Sequence, residues 1–400
     1  MPQDNRFRHQ PYRATPPVAP YYVVHEAEEA LPSSADFDER LATACVPMAK
    51  VNLAATYLVH GTYTGNDVLG LLTELRRFSP WLSERIRRMT KGFIDVVAGE
   101  TGNYTSQYAA TFQKGLTVGT GRTTAVRLFH WSSQNNHIAR ADGAVRLICE
   151  LARLAEDLPT ADESSDPSRV MLWGHSHGGN VLAILTNLLA ANQETRNQFF
   201  DATRTFFSPW WSEETDRPDW EQARQLLNDA QHPLRRLALD IVTFGTPIRY
   251  GWDTAGYSKL LHFVNHRPTP QQPVHRTGFP LHLPRFLKAK EGDYIHQLGI
   301  AGTNLIPNPL AVRTLLADLR LKKVLEQGLQ PEWRLSRWMR GHRVPDEGTT
   351  LLVDYHDGHW FAPHHLAGHA TYTRSKWLPF HVTQVARQFY AEKNSDMIVR

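Results

Sequence analysis

Short apolar runs alternate with longer segments of helical periodicity along most of the chain. The apolar runs are rich in β-branched and aromatic residues, which favours strands over buried helices. They span 55–59, 126–130, 169–173, 238–244, 260–264 and 350–353. Apolar residues at helical spacing predict helices at 67–90, 141–156, 177–192 and 376–391. The alternation predicts an α/β fold, with a mostly parallel sheet flanked by helices.

Four segments lie outside this pattern. Residues 1–36 are rich in Pro and polar residues, which predicts an extended or disordered N-terminal arm. Residues 37–400 are predicted to form one domain with insertions at about 194–236, 267–292 and 303–349. The first insertion is unusually aromatic, and its aromatic residues are Phe199, Phe200, Phe206, Phe207, Trp210, Trp211 and Trp220. They are expected either to form a lid or pocket wall or to pack against the domain.

Composition narrows the protein class only slightly. The 400 residues are 41% hydrophobic, which is enough for a buried core, and the net charge of +4 does not by itself indicate nucleic acid. Two cysteines, Cys45 and Cys149, give neither a disulfide framework nor a zinc site. No apolar stretch has the length of a membrane span, and residues 1–30 lack the pattern of a signal peptide. A soluble cytoplasmic protein is expected, with export by a signal-less route left open.

A basic and aromatic segment occupies 333–343. Arginines recur at every third position, interspersed with large apolar residues; the arginines are Arg334, Arg337, Arg340 and Arg343. This spacing is typical of an amphipathic basic helix. It predicts either peripheral contact with an anionic lipid surface or a solvated helix face.

The strongest chemical motif lies between 170 and 185. An apolar strand runs into Gly174-His175-Ser176-His177-Gly178, which is a G-x-S-x-G pentapeptide, and a helical run follows. A nucleophilic serine on a sharp turn needs neighbours without side chains, and Gly174 and Gly178 provide them. The pattern predicts Ser176 as a nucleophile, with the backbone N–H of His177 directed at a developing oxyanion.

A second turn follows the early strand Tyr57-Leu58-Val59. The sequence continues His60-Gly61-Thr62, and acyl transfer requires a second oxyanion donor from a separate loop. We assign that role to the backbone N–H of Thr62; in the alternative interpretation, His60 only packs in a tight turn. A polar loop at 131–137 follows the next strand, and it either lines the same pocket or caps a helix.

These motifs resemble the α/β-hydrolase superfamily. The resemblance covers residues of about 50–265 and 350–395, and the motifs Val59-His60-Gly61-Thr62, Gly174 to Gly179 and Phe244-Gly245-Thr246-Pro247 look like its lipase and esterase branches. It implies the α/β-hydrolase fold and a triad in the order Ser, Asp or Glu, His. It also implies that the histidine lies between the last strand and the final helix.

The loop at 354–370 contains several candidate bases. His369 is favoured because a glycine precedes it and the final helix begins soon after, while His364 and His365 remain alternatives. The same histidine-rich loop permits a zinc site, formed by His356, His359 and His364 with Asp357. No fixed zinc-binding spacing supports that alternative.

The sequence defines the acidic member of the triad less sharply than the serine and the histidine. No carboxylate directly follows the strand at 260–264, and the next ones appear only after an insertion. Gly292-Asp293 followed by apolar residues resembles the acid loop of lipases, so Asp293 is favoured over Asp354, which ends the last predicted strand.

Together these residues predict a serine esterase or lipase-like hydrolase. Ser176 would form an acyl-enzyme, His369 would act as base, and Asp293 would orient it; this cycle needs no metal or organic cofactor. The expected substrate is a carboxylic ester, of lipid-like character. A non-catalytic binding protein with the same fold, an acyltransferase and a peptidase remain alternatives, because the same triad serves several reactions. The oligomeric state cannot be read from the sequence.

Overall fold

A seven-stranded parallel sheet forms the centre of the protein. The computed structural model describes residues 6–9, 18–62, 102–159, 166–207, 218–278, 288–300, 304, 312–357 and 366–391. The strands are β1 (Tyr21–Val24), β2 (Leu53–Val59), β3 (Ala125–Phe129), β4 (Arg169–His175), β5 (Ala238–Phe244), β6 (Lys259–Asn265) and β7 (Thr349–Val353). Their order is β1-β7-β6-β5-β4-β2-β3, and every neighbouring pair is parallel. The predicted α/β fold is therefore confirmed.

Helices lie on both faces of the sheet. Those that the structure describes are α1 (Phe37–Cys45), α2 (Ser106–Thr120), α3 (His137–Asp157), α4 (His177–Ala190), α5 (Gln193–Phe207), α6 (Pro218–Asn228), α7 (Tyr294–Ile300), α8 (Val312–Leu325), α9 (Pro331–Met339) and α10 (Leu378–Phe389). The predicted helices at 141–156, 177–192 and 376–391 correspond to α3, α4 and α10. The helix predicted at 67–90 lies outside the described residues.

The side chains of strand β4 show that the sheet is covered on both faces. Side chains alternate between the two faces of a strand. Val170 and Leu172 join one apolar core, which is shared with α3 and α4. Met171 and Trp173 join the other, to which α1, α2 and α10 contribute. Because both faces are buried, the run from Val170 to Trp173 is entirely apolar, and this made the strand recognisable in the sequence.

The N-terminal arm is partly built into the sheet. Residues 1–36 were expected to be extended or disordered, but Tyr21–Val24 form β1 and pair with Thr350–Val353 of β7. Nearer the start of the arm, the Phe7 side chain is buried in the core beside Phe199. The described parts of the arm therefore belong to the packed domain.

Two of the three insertions contribute helices among the described residues. The segment 194–236 contributes α5 and α6, and the segment 303–349 contributes α8 and α9. Phe199 stacks on Trp220 with ring centroids 5.7 Å apart, and both are buried in the core together with Phe200. These aromatics therefore follow the packing alternative rather than the lid alternative. Trp210 and Trp211 lie outside the described residues.

The basic segment at 333–343 does not present its arginines to solvent. Arg334, Arg337 and Arg343 are buried, and only Arg340 of the four is exposed. Arg337 Nη2 lies 2.7 Å from Asp346 Oδ2, and Arg343 Nη1 donates to the Asn265 carbonyl oxygen across 2.7 Å. The expected cationic face is thus wrong at three positions, because these three arginines are buried rather than exposed. Within the described residues, none of the helices has the length and apolarity to cross a membrane.

Candidate active site

Ser176 occupies a strained turn between β4 and α4. Its φ and ψ are 53° and −131°, a backbone conformation that residues with a side chain rarely adopt. The turn is held from the neighbouring strand, because Ser176 N–H donates to the Phe244 carbonyl oxygen across 2.8 Å. The predicted strand, turn and helix are all present, and the serine stands at the carboxyl edge of the sheet. Open parallel sheets bind their ligands at this edge.

Close backbone packing holds this turn in place. A Cβ atom at Gly178 would lie 2.4 Å from the Val59 carbonyl oxygen and 2.6 Å from that of His60. No side chain fits there, which explains the glycine two residues after the serine. On the other side, the Thr246 hydroxyl donates to the Ser176 carbonyl oxygen across 2.9 Å. The Gly-Thr-Pro segment after β5 thus supports the serine directly.

The turn at 60–62 packs directly against the serine. A Cβ atom at Gly61 would lie 2.7 Å from the Ser176 Cβ atom, so this position also requires glycine. Trp131 Nε1–H donates to the His60 carbonyl oxygen across 2.8 Å, and the Ser133 hydroxyl donates to that of Gly61 across 3.0 Å. The turn that carries the Thr62 N–H is therefore fixed beside the nucleophile.

The two predicted oxyanion donors approach Ser176 from different elements. His177 is the first residue of α4, where backbone N–H groups have no acceptor within the helix. Thr62 follows Gly61 in the turn after β2. The loop at 131–137 also caps a helix, because the Asn136 side chain accepts a hydrogen bond from Ala139 N–H at the start of α3. It both caps the helix and supports the 60–62 turn.

His369 and Asp293 form a buried pair. His369 Nδ1 lies 2.7 Å from Asp293 Oδ2, and the aspartate is fully buried. Two further donors hold the carboxylate: the Tyr372 hydroxyl at 2.8 Å and the His296 backbone N–H at 2.8 Å. The structure therefore brings together the acid and the base that the sequence predicted.

Contacts with His369 and His296 keep Asp293 ionised despite its burial. Burial raises the pKa of a carboxyl group, but here the His369 charge, the His369 hydrogen bond and the His296 contacts outweigh it. Together they lower the pKa of Asp293 from 3.8 to about 2. An ionised carboxylate only accepts hydrogen bonds, so Nδ1 of His369 carries the proton.

The other ring nitrogen of His369 is available for chemistry. Nε2 is buried and has no hydrogen-bond partner among the described residues. With the proton on Nδ1, a neutral imidazole exposes a lone pair on Nε2, the form that a general base requires. The His175 ring packs 4.8 Å from the His369 ring, and its Nε2–H donates to the His369 carbonyl oxygen across 3.1 Å. His369 is thereby tied to the residue that precedes Ser176.

His175 adds no charge beside this pair. Burial, followed by the charge of His369, lowers the pKa of His175 to about 3. It is therefore neutral under ordinary conditions, and its role is to pack against His369.

The alternative acid and bases are placed elsewhere or lie outside the described residues. Asp354 Oδ1 lies 2.7 Å from Arg267 Nε, so this aspartate pairs with an arginine. His356 is exposed and its ring contacts the His25 carbonyl oxygen at 3.0 Å. His359, His364 and His365 fall outside the part of the chain that the structure describes.

The zinc alternative finds no support in the described part of the chain. Asp357, one of its four proposed ligands, is paired with Arg374 Nη1. No group of three or more candidate metal ligands occurs among the described residues.

Sequence reasoning missed several supporting residues. Tyr372, Thr246 and Ser133 hold the acid, the nucleophile and the 60–62 turn, respectively. The only sequence signal for Tyr372 is its position three residues after His369, and Thr246 lies in the Gly-Thr-Pro motif, which carried the resemblance without giving Thr246 a role. Comparisons of the chain with protein-family profiles, with curated proteins and with solved structures returned no match.

Proposed function

We propose that this protein is a serine hydrolase of the α/β-hydrolase kind, acting on a carboxylic ester through an acyl-enzyme on Ser176. One observation carries the proposal: Ser176 stands in a strained turn directly after His175, whose ring packs on that of His369, a buried imidazole that is protonated on Nδ1 through its pairing with Asp293 and, within the described residues, unpartnered on Nε2. Structural packing alone does not require this combination, because a strained backbone and an unpaired buried nitrogen both cost stability.

The proposed reaction has two halves. His369 Nε2 takes the Ser176 proton as the hydroxyl oxygen attacks the ester carbonyl, and the N–H groups of His177 and Thr62 bind the oxyanion. The imidazolium then protonates the leaving alcohol, which departs as the acyl-enzyme forms. In the second half, His369 deprotonates water, and the hydroxide releases the acid from Ser176. Asp293 remains ionised throughout and stabilises the imidazolium.

The ester is proposed to be lipid-like, although the support for this is the resemblance alone. The described aromatics of the first insertion are buried in the core and do not bear on acyl length. A series of p-nitrophenyl esters tests this directly. A rise in kcat/KM with acyl length supports a lipid-like substrate, and activity confined to the shortest esters contradicts it.

Labelling with a fluorophosphonate probe tests the proposed nucleophile. The probe reacts with activated serines, so mass spectrometry should find the adduct on Ser176. Ser176→Ala should abolish labelling, and His369→Ala should slow it by about 1,000-fold or more, since the base no longer activates the hydroxyl. Ser168→Ala, at the opposite end of β4, and His356→Ala, in the loop that follows β7, are the matched controls.

The labelling outcomes separate the candidate functions. Both controls should label like the unmodified protein. A folded chain that does not label at Ser176 would instead indicate a non-catalytic binding protein. Labelling accompanied by transfer to an added alcohol faster than to water would indicate an acyltransferase.

A further inference from the structure

A buried arginine cluster lies beside the proposed catalytic serine. We use this name for Arg140, Arg249 and Arg334, whose charges are opposed by two carboxylates, Glu326 and Asp318. Arg249 Nη2 and Arg334 Nη1 lie 2.8 and 2.9 Å from Glu326 Oε1. Three buried cations thus face two anions, so within the described residues the cluster is positive.

Two loops fix the position of this cluster relative to Ser176. On one side, Thr246 donates to the Ser176 carbonyl oxygen, and Arg249 follows only three residues later. That separation limits the Cα atoms of Thr246 and Arg249 to about 10 Å. On the other side, Arg140 Nη1 donates to Asn135 Oδ1 across 2.8 Å. Asn135 belongs to the same loop as Ser133, which holds the 60–62 turn.

The cluster's field reaches His177. After burial, the charges of Arg140 and Arg249 are the next causes that lower the pKa of His177 well below its ordinary value. The backbone N–H of His177 is one of the two proposed oxyanion donors. The charges of the cluster therefore act on the side chain of the residue that directly follows Ser176.

Arg249 has unused hydrogen-bonding capacity. Its side chain is buried, and Nε and Nη1 have no acceptor among the described residues. In that part of the chain only Nη2 is engaged, with His137 Nε2 at 3.2 Å and within ion-pair distance of Glu326. Unpaired buried donors are costly, so Nε and Nη1 are each able to donate to an acceptor that enters the cluster.

Tyr250 supplies a further donor on the other side of the His137 ring. Because Arg249 donates to His137 Nε2, the neutral His137 ring donates from Nδ1 to the Tyr250 oxygen across 2.7 Å. Arg140 Nε also donates to that oxygen, across 2.9 Å. The oxygen thus accepts twice, and its own O–H proton is left for another acceptor.

We propose that Arg249 and Tyr250 bind an anionic oxyacid group, a carboxylate or a phosphate, carried by the ester substrate near its scissile carbonyl. A guanidinium N–H donates a charge-assisted hydrogen bond to such a group, and the net positive charge of the cluster balances it. This inference rests on the proposed hydrolase function and narrows its substrate to anionic esters. The discrimination is expected to be strong, because a neutral substrate leaves the buried donors unpaired.

Paired substrates test the proposal. One pair compares the mono-p-nitrophenyl ester of a dicarboxylic acid, which keeps a free carboxylate, with the same ester whose carboxylate is methylated. The other pair compares a p-nitrophenyl ester that carries a free phosphonate with the same ester whose phosphonate is dialkylated. The measured quantity is the ratio of kcat/KM for the charged and neutral members of a pair. This ratio does not depend on the fraction of protein that is folded and active. The pair with the larger ratio distinguishes carboxylate from phosphate recognition.

Two variants remove the proposed donors. Arg249→Gln should lower the ratio by about 100-fold, as loss of one partner of a buried charge pair does. Tyr250→Phe keeps the ring and should lower it by about tenfold. The matched controls lie at the opposite edge of the sheet, where Arg169 and Tyr390 both hold Asp240. Arg169→Gln and Tyr390→Phe should leave the ratio unchanged.

The outcomes separate this proposal from the hydrolase proposal. Equal activity on both members of each pair, or a charged-ester preference that survives Arg249→Gln and Tyr250→Phe, overturns anion binding while the hydrolase function stands. A ratio that falls equally in the control variants also overturns it, because the effect is then not local. If Ser176 does not label and no ester is cleaved, the hydrolase proposal fails, and anion binding by its substrate fails with it.

Discussion

The contacts of Asp293 are the clearest sign that a residue of the candidate site does more than pack in the core. A buried carboxylate is tolerated only when hydrogen bonds replace its lost hydration, and Asp293 accepts them from His369, Tyr372 and the His296 backbone. Its own backbone N–H donates to the Asn265 carbonyl oxygen across 2.8 Å, which returns the chain to the end of β6. The side chain is therefore fixed from both directions, in a position where it can hold only one tautomer of His369.

Replacing Asp293 with Asn removes the negative charge of the side chain and keeps its shape. Asp293→Asn should reduce kcat by about 10,000-fold, because an amide neither stabilises the imidazolium nor holds the Nδ1 proton. Steady-state hydrolysis of an activated ester and the fluorophosphonate labelling rate measure the effect. Asp354→Asn is the control, since Asp354 pairs with Arg267 rather than with His369. Near-normal turnover of the first variant and loss in the second would reverse the assignment.

The sequence pointed to the candidate nucleophile more securely than to the candidate base and acid. Ser176 lies in a local pattern of strand, turn and helix, which neighbouring residues alone define. His369 had to be chosen among several histidines of one loop, because no local pattern distinguishes a base from a packed or exposed histidine. Its pairing with Asp293 spans 76 residues of sequence, and only the tertiary structure reveals it.

At the scale of elements, the buried strands were the easiest to predict from the sequence. Strands β2 and β4 to β7 are apolar runs in the core, and all of them, together with the less buried edge strand β3, were predicted to within two residues. Strand β1 was missed because it has four residues, contacts only β7 and is only partly buried. Helix α2 was missed although Thr105 caps its start and Gly121, with φ of 68°, ends it. Short edge strands and weakly amphipathic helices carry little periodic signal.

The strand, turn and helix around Ser176 should tolerate no side chain at Gly178. Gly178→Ala places a Cβ against two backbone carbonyl oxygens of the β2 end, so α4 must shift away from the 60–62 turn. The fluorophosphonate labelling rate of the folded protein should fall by about 100-fold, since small displacements of reacting groups have large effects. Stability should fall by about 1–3 kcal/mol, measured by urea unfolding.

Gly121→Ala provides the control for Gly178→Ala. Gly121 has a positive φ, but no atom lies within 4 Å of the place that a Cβ would occupy, so the cost is backbone strain of about 1 kcal/mol without a clash. The labelling rate should be unchanged. A Gly178→Ala variant that labels at the normal rate would contradict the close packing of α4 against the turn.

At the scale of the whole molecule, the sheet topology brings the candidate site together. Ser176 follows β4, Asp293 contacts the end of β6, and His369 follows β7. Parallel strands end at the same edge, so residues far apart in sequence converge there. The sequence could predict this edge but not the path of the 267–292 insertion, which leaves β6 and returns to it. Once that insertion is set aside, the acid directly follows the strand.

The helical insertions are joined to this edge through Glu326. This residue follows α8, and its carboxylate lies within ion-pair distance of Arg249, near the serine, and of Arg334 on α9. Glu326→Gln leaves both buried guanidinium groups without this anion. The free energy of unfolding should fall by about 3–5 kcal/mol at neutral pH, measured by urea unfolding. Asp38→Asn is the control, since its pair with Lys114 is exposed and should contribute at most about 1 kcal/mol.

The ionisation of Glu326 also predicts how the stability of the folded protein depends on pH. Burial raises the pKa of Glu326, but the Arg334 hydrogen bond and the charges of Arg249 and Arg334 outweigh it, so its pKa lies below the ordinary value of 4.5. A carboxyl group with a lowered pKa stabilises the folded state above its unfolded pKa, and this contribution is lost as the pH falls through the folded value. The stability difference between the unmodified protein and Glu326→Gln should therefore be constant above about pH 5 and shrink below about pH 4.5. A difference that persists undiminished in acid would mean that packing, rather than charge, joins the insertions to the site.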